Sequence, residues 1–351
     1  MVENIKEISN SLNQVVNLSE TLVSLMNDVV CRVALGRKYG GESGRKFKEL
    51  LREFMELLGA FCVRDYIPWF GWVDRVNGLD ARVNRVANGF DEFLEGVVSE
   101  HMEKKKGKGN VEGEGEEEED FVDILLEIQK EHTLGFPVHR DTIKALILDA
   151  FSAGTDTTTT LLEWAMAELL KHPQIMIKLQ NEVRKIAKNK LNVTEDDLEK
   201  MQYLKLVIKE TLRLHTPVPL LVPRESTQEV KILGYDVEAG TQVRINAWAI
   251  GRDPSLWEDP EEFRPERFLN SSIDFKGFNF ELIPFGAGRR GCPGTLFAIA
   301  VNELALANLL YKFDIALPGG ARAEDLDMAE SIGTLAQKKT PILVVATPYS
   351  H

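Results

Sequence analysis

Ten residues, Phe285-Gly286-Ala287-Gly288-Arg289-Arg290-Gly291-Cys292-Pro293-Gly294, set one thiol among four glycines, two arginines, a proline and an aromatic ring. A thiolate placed there can bind a soft or borderline metal through sulfur. Neighbouring guanidinium groups favour the thiolate and can also hold anionic groups of a cofactor. The glycines let backbone pass close to something flat and bulky. One cysteine cannot build a zinc site or an iron–sulfur cluster, which normally need several protein ligands. A single axial thiolate to a heme iron fits these residues. The alternative is a buried free cysteine at a helix start.

Two further patterns could do chemistry. Ala153-Gly154-Thr155-Asp156-Thr157-Thr158-Thr159-Thr160 combines a glycine and β-branched threonines, a poor sequence for undisturbed helix. The spacing predicts a locally widened helix with room for a small molecule, and a hydroxyl and a carboxylate beside it that can relay protons. A core helix with locally satisfied threonines is the competing reading. Glu210 and Arg213, three residues apart, lie on one helical face and can pair. Arg267, within Pro265-Glu266-Arg267-Phe268, could extend that pair into a buried network whose job is structural.

Elements that must position these groups follow from periodicity. Leu18-Ser19-Glu20 opens a helix with Leu22, Val23, Met26, Val29, Val30, Val33 and Ala34 at three- and four-residue spacing. Further helices are predicted over 46–59, 78–105, from Phe121, over 143–170, 174–187 and 194–214, and from Leu296 to Leu310. Residues 66–72 read as an aromatic turn, and residues 104–120, basic and then acidic, as a flexible solvated loop that links helices and is not a domain boundary. Strands are expected over 230–233, 241–249 and 342–346. The fold class is therefore mainly α with a small β portion.

Composition narrows the partners. The 44% hydrophobic and 28% charged content is that of a globular protein, and the net charge of -13 argues against nucleic acid or an anionic membrane as main partner. Cys31, Cys62 and Cys292 are too few for a disulfide framework, which suggests a reducing compartment. No apolar run approaches the ~18 residues of a membrane span, and the first residues lack a signal-peptide core.

Taken in order, the motifs resemble those of the cytochrome P450 family, the heme-thiolate monooxygenases. Phe285, Gly288, Arg290, Cys292 and Gly294 match the family's heme-binding pattern, residues 153–158 its oxygen-helix pattern, Glu210 and Arg213 its Glu-x-x-Arg pair, and residues 265–268 its Pro-Glu-Arg-Phe segment. Asn17-Leu18-Ser19-Glu20, Asp65-Tyr66-Ile67-Pro68-Trp69 and Gly251-Arg252-Asp253-Pro254 resemble plant microsomal members. The resemblance covers the whole chain. It implies the P450 fold without the anchor, first strands and helix that normally come upstream, so the chain reads as an N-terminally truncated P450 domain.

The resemblance also implies roles. Cys292 would be the axial ligand of heme b (iron protoporphyrin IX), Phe285 would shield its sulfur, and Arg290 and Arg224 would hold heme propionates. Gly154 would make room for O2, and Asp156 and Thr157 would deliver protons during its activation. Phe151, Ala153, Val218, Leu220, Leu221, Thr334 and Leu335 would contact a hydrophobic small-molecule substrate, in keeping with plant secondary metabolism, although apolar residues there serve equally as core. Electrons would come from an NADPH-cytochrome P450 reductase, and Gly286-x-Gly288 lacks the context of a dinucleotide site. The place implied is the cytosolic face of the endoplasmic reticulum, or the cytosol for the chain as given. Two alternatives differ from a monooxygenase: a heme-thiolate isomerase or dehydratase, which needs no Asp156-Thr157 relay, and a catalytically silent fragment.

Overall fold

The computed structural model describes residues 1–9, 15–37, 41–107, 119–131, 135–331 and 333–349. Most of the predicted 104–120 loop therefore lies outside the described residues. The chain divides into two compact units, one of residues 24–156 and one of residues 1–23 with 157–351. Helix Leu18–Leu35 begins in the second of these and helix Arg140–Lys171 ends in it.

The 24–156 unit is helical. Gly41–Leu58, Leu79–Gly107 and Phe121–Glu131 each carry an apolar face, and these faces meet. Phe47 stacks on Phe93 at 4.4 Å between ring centres and meets Phe151 and Phe90 edge-on at 4.9 and 6.0 Å. Such pairs add about 0.5–1.5 kcal/mol each beyond area burial. Polar edges are tied as well: Lys144 pairs with Asp91 at 2.5 Å and Asp141 at 3.1 Å. The aromatic stretch at 66–72 is not one turn. It comprises a short helix Val63–Tyr66, a 3-10 turn Pro68–Phe70 and a helix Trp72–Val76. Asp74 organises it by accepting hydrogen bonds from the Val63 and Arg64 amides and the Cys62 thiol.

The other unit mixes helices with small sheets. Pro173–Ile186, Gln202–Leu214 and Thr295–Lys312 pack on one another, and the second half of the long helix is buried. Leu343–Pro348 is the middle strand of an antiparallel sheet, paired with Val16–Asn17 on one side and Phe313–Ala316 on the other. Arg224–Glu225 pairs with Gln242–Val243, and Val230–Ile232 with Tyr235–Val237. The sequence pattern predicts neither Val16–Asn17 nor Phe313–Ala316, since two to four residues hold too little alternation to register.

Two predicted elements are broken by local polar chemistry. The 194–214 helix is a short Glu195–Leu198 helix followed by Gln202–Leu214. Thr194 and buried Asp197 close a capping box on the first, and Glu182 accepts from the Tyr203 and Leu204 amides at the start of the second. The 241–249 strand shrinks to Gln242–Val243, because Asn246 accepts from the Ala249 amide at 2.9 Å and starts the helix Ala247–Ile250.

Candidate active site

The loop before Thr295–Lys312 presents Cys292 as an exposed, free thiol, not a buried one. Its geometry is set by backbone. The Cys292 amide donates to the Phe285 carbonyl at 2.9 Å, closing the loop, and Thr295 Oγ1 donates to the Cys292 carbonyl at 3.0 Å. Gly286 and Gly288 both sit at φ of +71°, a left-handed conformation that glycine adopts without strain. The Phe285 ring meets Phe275 edge-on at 5.8 Å.

Glycine at these positions also keeps space free. An added Cβ at Gly288 would meet nothing within 4 Å, and one at Gly286 would come only to 3.9 Å from Arg224 Nη2. Arg224 Nη2 donates to the Arg290 carbonyl at 3.2 Å, so both sequence-predicted propionate arginines belong to one loop cluster. Arg290 is exposed, as are the apolar Leu296 and Phe297 at the helix start. An exposed thiol beside glycine backbone, an exposed Arg290 and bare apolar groups fits a flat apolar group with acidic edges, which is what heme is.

The second half of the constellation is the opposite in character. Glu210 and Arg213 are fully buried, joined by Arg213 Nε to Glu210 Oε2 and Nη2 to Oε1, both at 2.8 Å. Arg267 Nε reaches Glu210 Oε1 at 2.8 Å, and the Arg264 amide donates to the same oxygen. The remaining Arg213 donors go to the carbonyls of Gly251, Pro260 and Glu262 at 2.5, 2.7 and 3.1 Å. The cluster thus fastens the irregular 251–268 segment to helix Gln202–Leu214. Sequence spacing brings out the Glu210–Arg213 pair but not these carbonyls, which carry no side-chain signal.

The threonine-rich stretch does not widen its helix: Arg140–Lys171 runs as one α-helix through residues 153–160. Burial of nearly every residue from Thr158 to Leu170 overrides the weak propensity. Gly154 is packed, since an added Cβ would meet Val30 Cγ2 at 3.4 Å. Asp156 and Thr157 are half-buried, and burial pushes the Asp156 carboxyl above the usual aspartate range.

Among the residues read as substrate contacts, Phe151 is fully buried in the core against Phe47, and Ala153 is exposed. Val218 is half-buried, Leu220 exposed and Leu221 buried with Ala247 and Ile283. Thr334 is exposed and Leu335 buried. Sequence reasoning missed a polar cluster under the last two groups, formed by Trp164, Glu168, His172 and His215. The signal was His215-Thr216-Pro217, which reads simply as a helix end.

A lone thiol so displayed, in a chain that also holds a sealed carboxylate–guanidinium network, is the pattern of the heme-thiolate oxidoreductases. The chain belongs to the cytochrome P450 family, whose sequence pattern matches residues 1–345. It is 58% identical over 99% of its length to cytochrome P450 736A117 of Prunus mume and 57% identical over 97% to cytochrome P450 71A8 of Mentha piperita. It is 54% identical over 95% to (+)-menthofuran synthase of Mentha piperita. The chain spans about two thirds of these relatives' own length, 66–67%. A zebra fish cytochrome P450 solved with progesterone superposes with a TM-score of 0.81 at 26% identity, covering 99% of this chain and 75% of that one. Among the described residues no helix is long and apolar enough to cross a membrane.

Proposed function

We propose that the chain is a heme-thiolate monooxygenase that hydroxylates a hydrophobic small molecule, with heme b held at Cys292. The observation that carries this reading is the free, exposed Cys292 thiol in a loop where an added Cβ at Gly288 would meet nothing within 4 Å. When bound, the heme supplies the O2 activation that no side chain offers.

The chain's own residues divide the remaining work. Cys292 would hold the iron, Phe285 and Gly288 shape the loop, Gly294 would lie beside the sulfur, and Arg290 and Arg224 would hold the propionates. Asp156 retains its proton to higher pH than a free aspartate, and the adjacent Thr157 hydroxyl can pass one on, as proton delivery requires. Glu210, Arg213 and Arg267 act structurally. Phe151, Ala153, Val218, Leu220, Leu221, Thr334 and Leu335 contact the substrate, and their largely apolar character supports an apolar ligand. Electrons come from an NADPH-cytochrome P450 reductase at the cytosolic face of the endoplasmic reticulum, as the family resemblance implies. Those relatives bear names such as norfluorocurarine oxidase, from Strychnos, which supports an oxidative role in secondary metabolism.

The test is spectroscopic. Protein loaded with heme, reduced and exposed to carbon monoxide should give the red-shifted Soret band of a thiolate-ligated heme, and Cys292→Ser should abolish it. Folded protein without the band would overturn the reading. Thr157→Ala should leave the band intact while releasing reduced oxygen as peroxide instead of product, by roughly tenfold or more, the scale of a lost acid–base contribution. Unchanged coupling would remove Thr157 from proton delivery.

A further inference from the structure

Two segments proposed as substrate contacts, residues 218–221 and 334–335, are fastened to one another through a single residue, Ala336. The Ala336 amide donates to the Pro217 carbonyl at 2.9 Å. The Ala336 carbonyl accepts from the indole Nε1–H of buried Trp164 at 2.6 Å. Ala336 lies in a hairpin closed by bonds from the Ser331 amide to the Gln337 carbonyl and from the Lys339 amide to the Ala329 carbonyl, at 2.8 and 2.9 Å. Leu335 precedes Ala336 directly, and Val218 follows Pro217 directly.

Trp164 is itself held. Its ring lies flat on the His215 imidazole, 4.0 Å between centres and 2° from parallel. His215 Nε2 bonds Glu168 Oε1 at 2.7 Å, and Glu168 stands one helical turn beyond Trp164. Burial alone would raise the Glu168 carboxyl, but His172 Nδ1, 3.2 Å from Oε2, and the hydrogen-bonded His215 outweigh it and hold it down to about 2. The anchor is therefore an ionised carboxylate, an imidazole and an indole in series, ending on the backbone of the hairpin. A phenylalanine would keep a buried aromatic ring at this position but lose the N–H donor to the Ala336 carbonyl.

We propose that Trp164, backed by His215 and Glu168, is a positioning residue that registers the 334–336 hairpin tip against residues 217–221, so that the two segments present one wall to the substrate. Small displacements of such a wall change selectivity without touching the reacting atoms. The proposal rests on the substrate contacts assigned above.

The experiment compares wild type with Trp164→Phe, which keeps the ring and removes the donor. Hydrogen exchange at the backbone amides of residues 335–337 should quicken roughly threefold to tenfold, the scale of one lost neutral hydrogen bond. In the heme-loaded protein, 1-phenylimidazole, whose phenyl group reaches the wall, should bind more weakly by a similar factor, while imidazole stays within about twofold. Unchanged exchange at 335–337, or equal weakening of both azoles, would overturn the proposal. Should Trp164→Phe fail to fold, Glu168→Gln must quicken the same amides, and unchanged exchange there overturns it equally. A wild-type protein that prefers 1-phenylimidazole no more than imidazole would instead reject the assigned wall, leaving the exchange result to judge the Trp164 anchor.

Discussion

The Glu210–Arg213–Arg267 cluster and the Cys292 loop represent opposite uses of charge and sulfur in one unit. In the first, every donor of Arg213 and both oxygens of Glu210 find partners with no exposure at either side chain. In the second, the thiol is free and exposed, and Arg290 is exposed beside it. A fully satisfied buried network returns its desolvation cost only while complete, so it resists change. An open loop contributes little to folding and is available for a ligand. The difference teaches where this chain is built for stability and where for chemistry.

Arg213→Met breaks the sealed side and should have the largest effect. It leaves a buried carboxylate short of its partner and frees the Gly251, Pro260 and Glu262 carbonyls, at a cost of about 3–5 kcal/mol. Chemical denaturation of the purified protein measures it. A loss under about 1 kcal/mol would mean that the network is not the fastening it resembles.

The 24–156 unit holds an intermediate case, buried and paired but titratable. His101 Nδ1 lies 2.8 Å from the Val97 carbonyl and Nε2 lies 2.8 Å from Asp120 Oδ2, so both ring nitrogens face acceptors, as the imidazolium requires. The hydrogen bond to Asp120 raises His101 above its usual value despite burial. Burial would raise Asp120, but the His101 bond and the Asp123 amide outweigh it and lower the carboxyl. A raised histidine gives stability that is complete below its unfolded value near 6.5 and lost as pH rises through the folded one. A lowered aspartate gives stability that is complete above about 3.8 and lost as pH falls through the folded value. His101→Gln should therefore cost most between about pH 4 and 6.5, roughly 1.5–3 kcal/mol, and less on the alkaline side. A cost independent of pH from 5 to 9 would show the pair to be neutral.

Legibility in the sequence followed the same division. The Cys292 loop could be read because its chemistry is concentrated in consecutive residues, and the long helices because apolar spacing persists over many turns. What escaped depends on distance along the chain. His101 and Asp120 are nineteen residues apart, and Trp164 meets a carbonyl 172 residues away. Residues 153–160 misled for a related reason: local propensity predicts an opened helix, but burial of the following residues keeps it regular. The capping of Ala247–Ile250 by Asn246 likewise turned an apolar stretch from strand to helix. Chemistry carried by neighbours in sequence is visible there, while chemistry assembled by packing is not.

Cys292→Ser probes the open side and should show the smallest change in folding. The thiol is exposed, and the loop is closed by the bond from the Cys292 amide to the Phe285 carbonyl, which serine retains. Without heme, the variant should stay within about 0.5 kcal/mol of wild type, as for a surface substitution. With heme, the wild type should gain stability that the variant does not, because only a group bound to the native state shifts the unfolding equilibrium. Stability matched without heme and separated with it would identify the loop as a ligand site rather than a structural one. A Cys292→Ser protein destabilised by 2 kcal/mol or more before heme is added would reverse that assignment, placing the thiol with the sealed network instead of opposite to it.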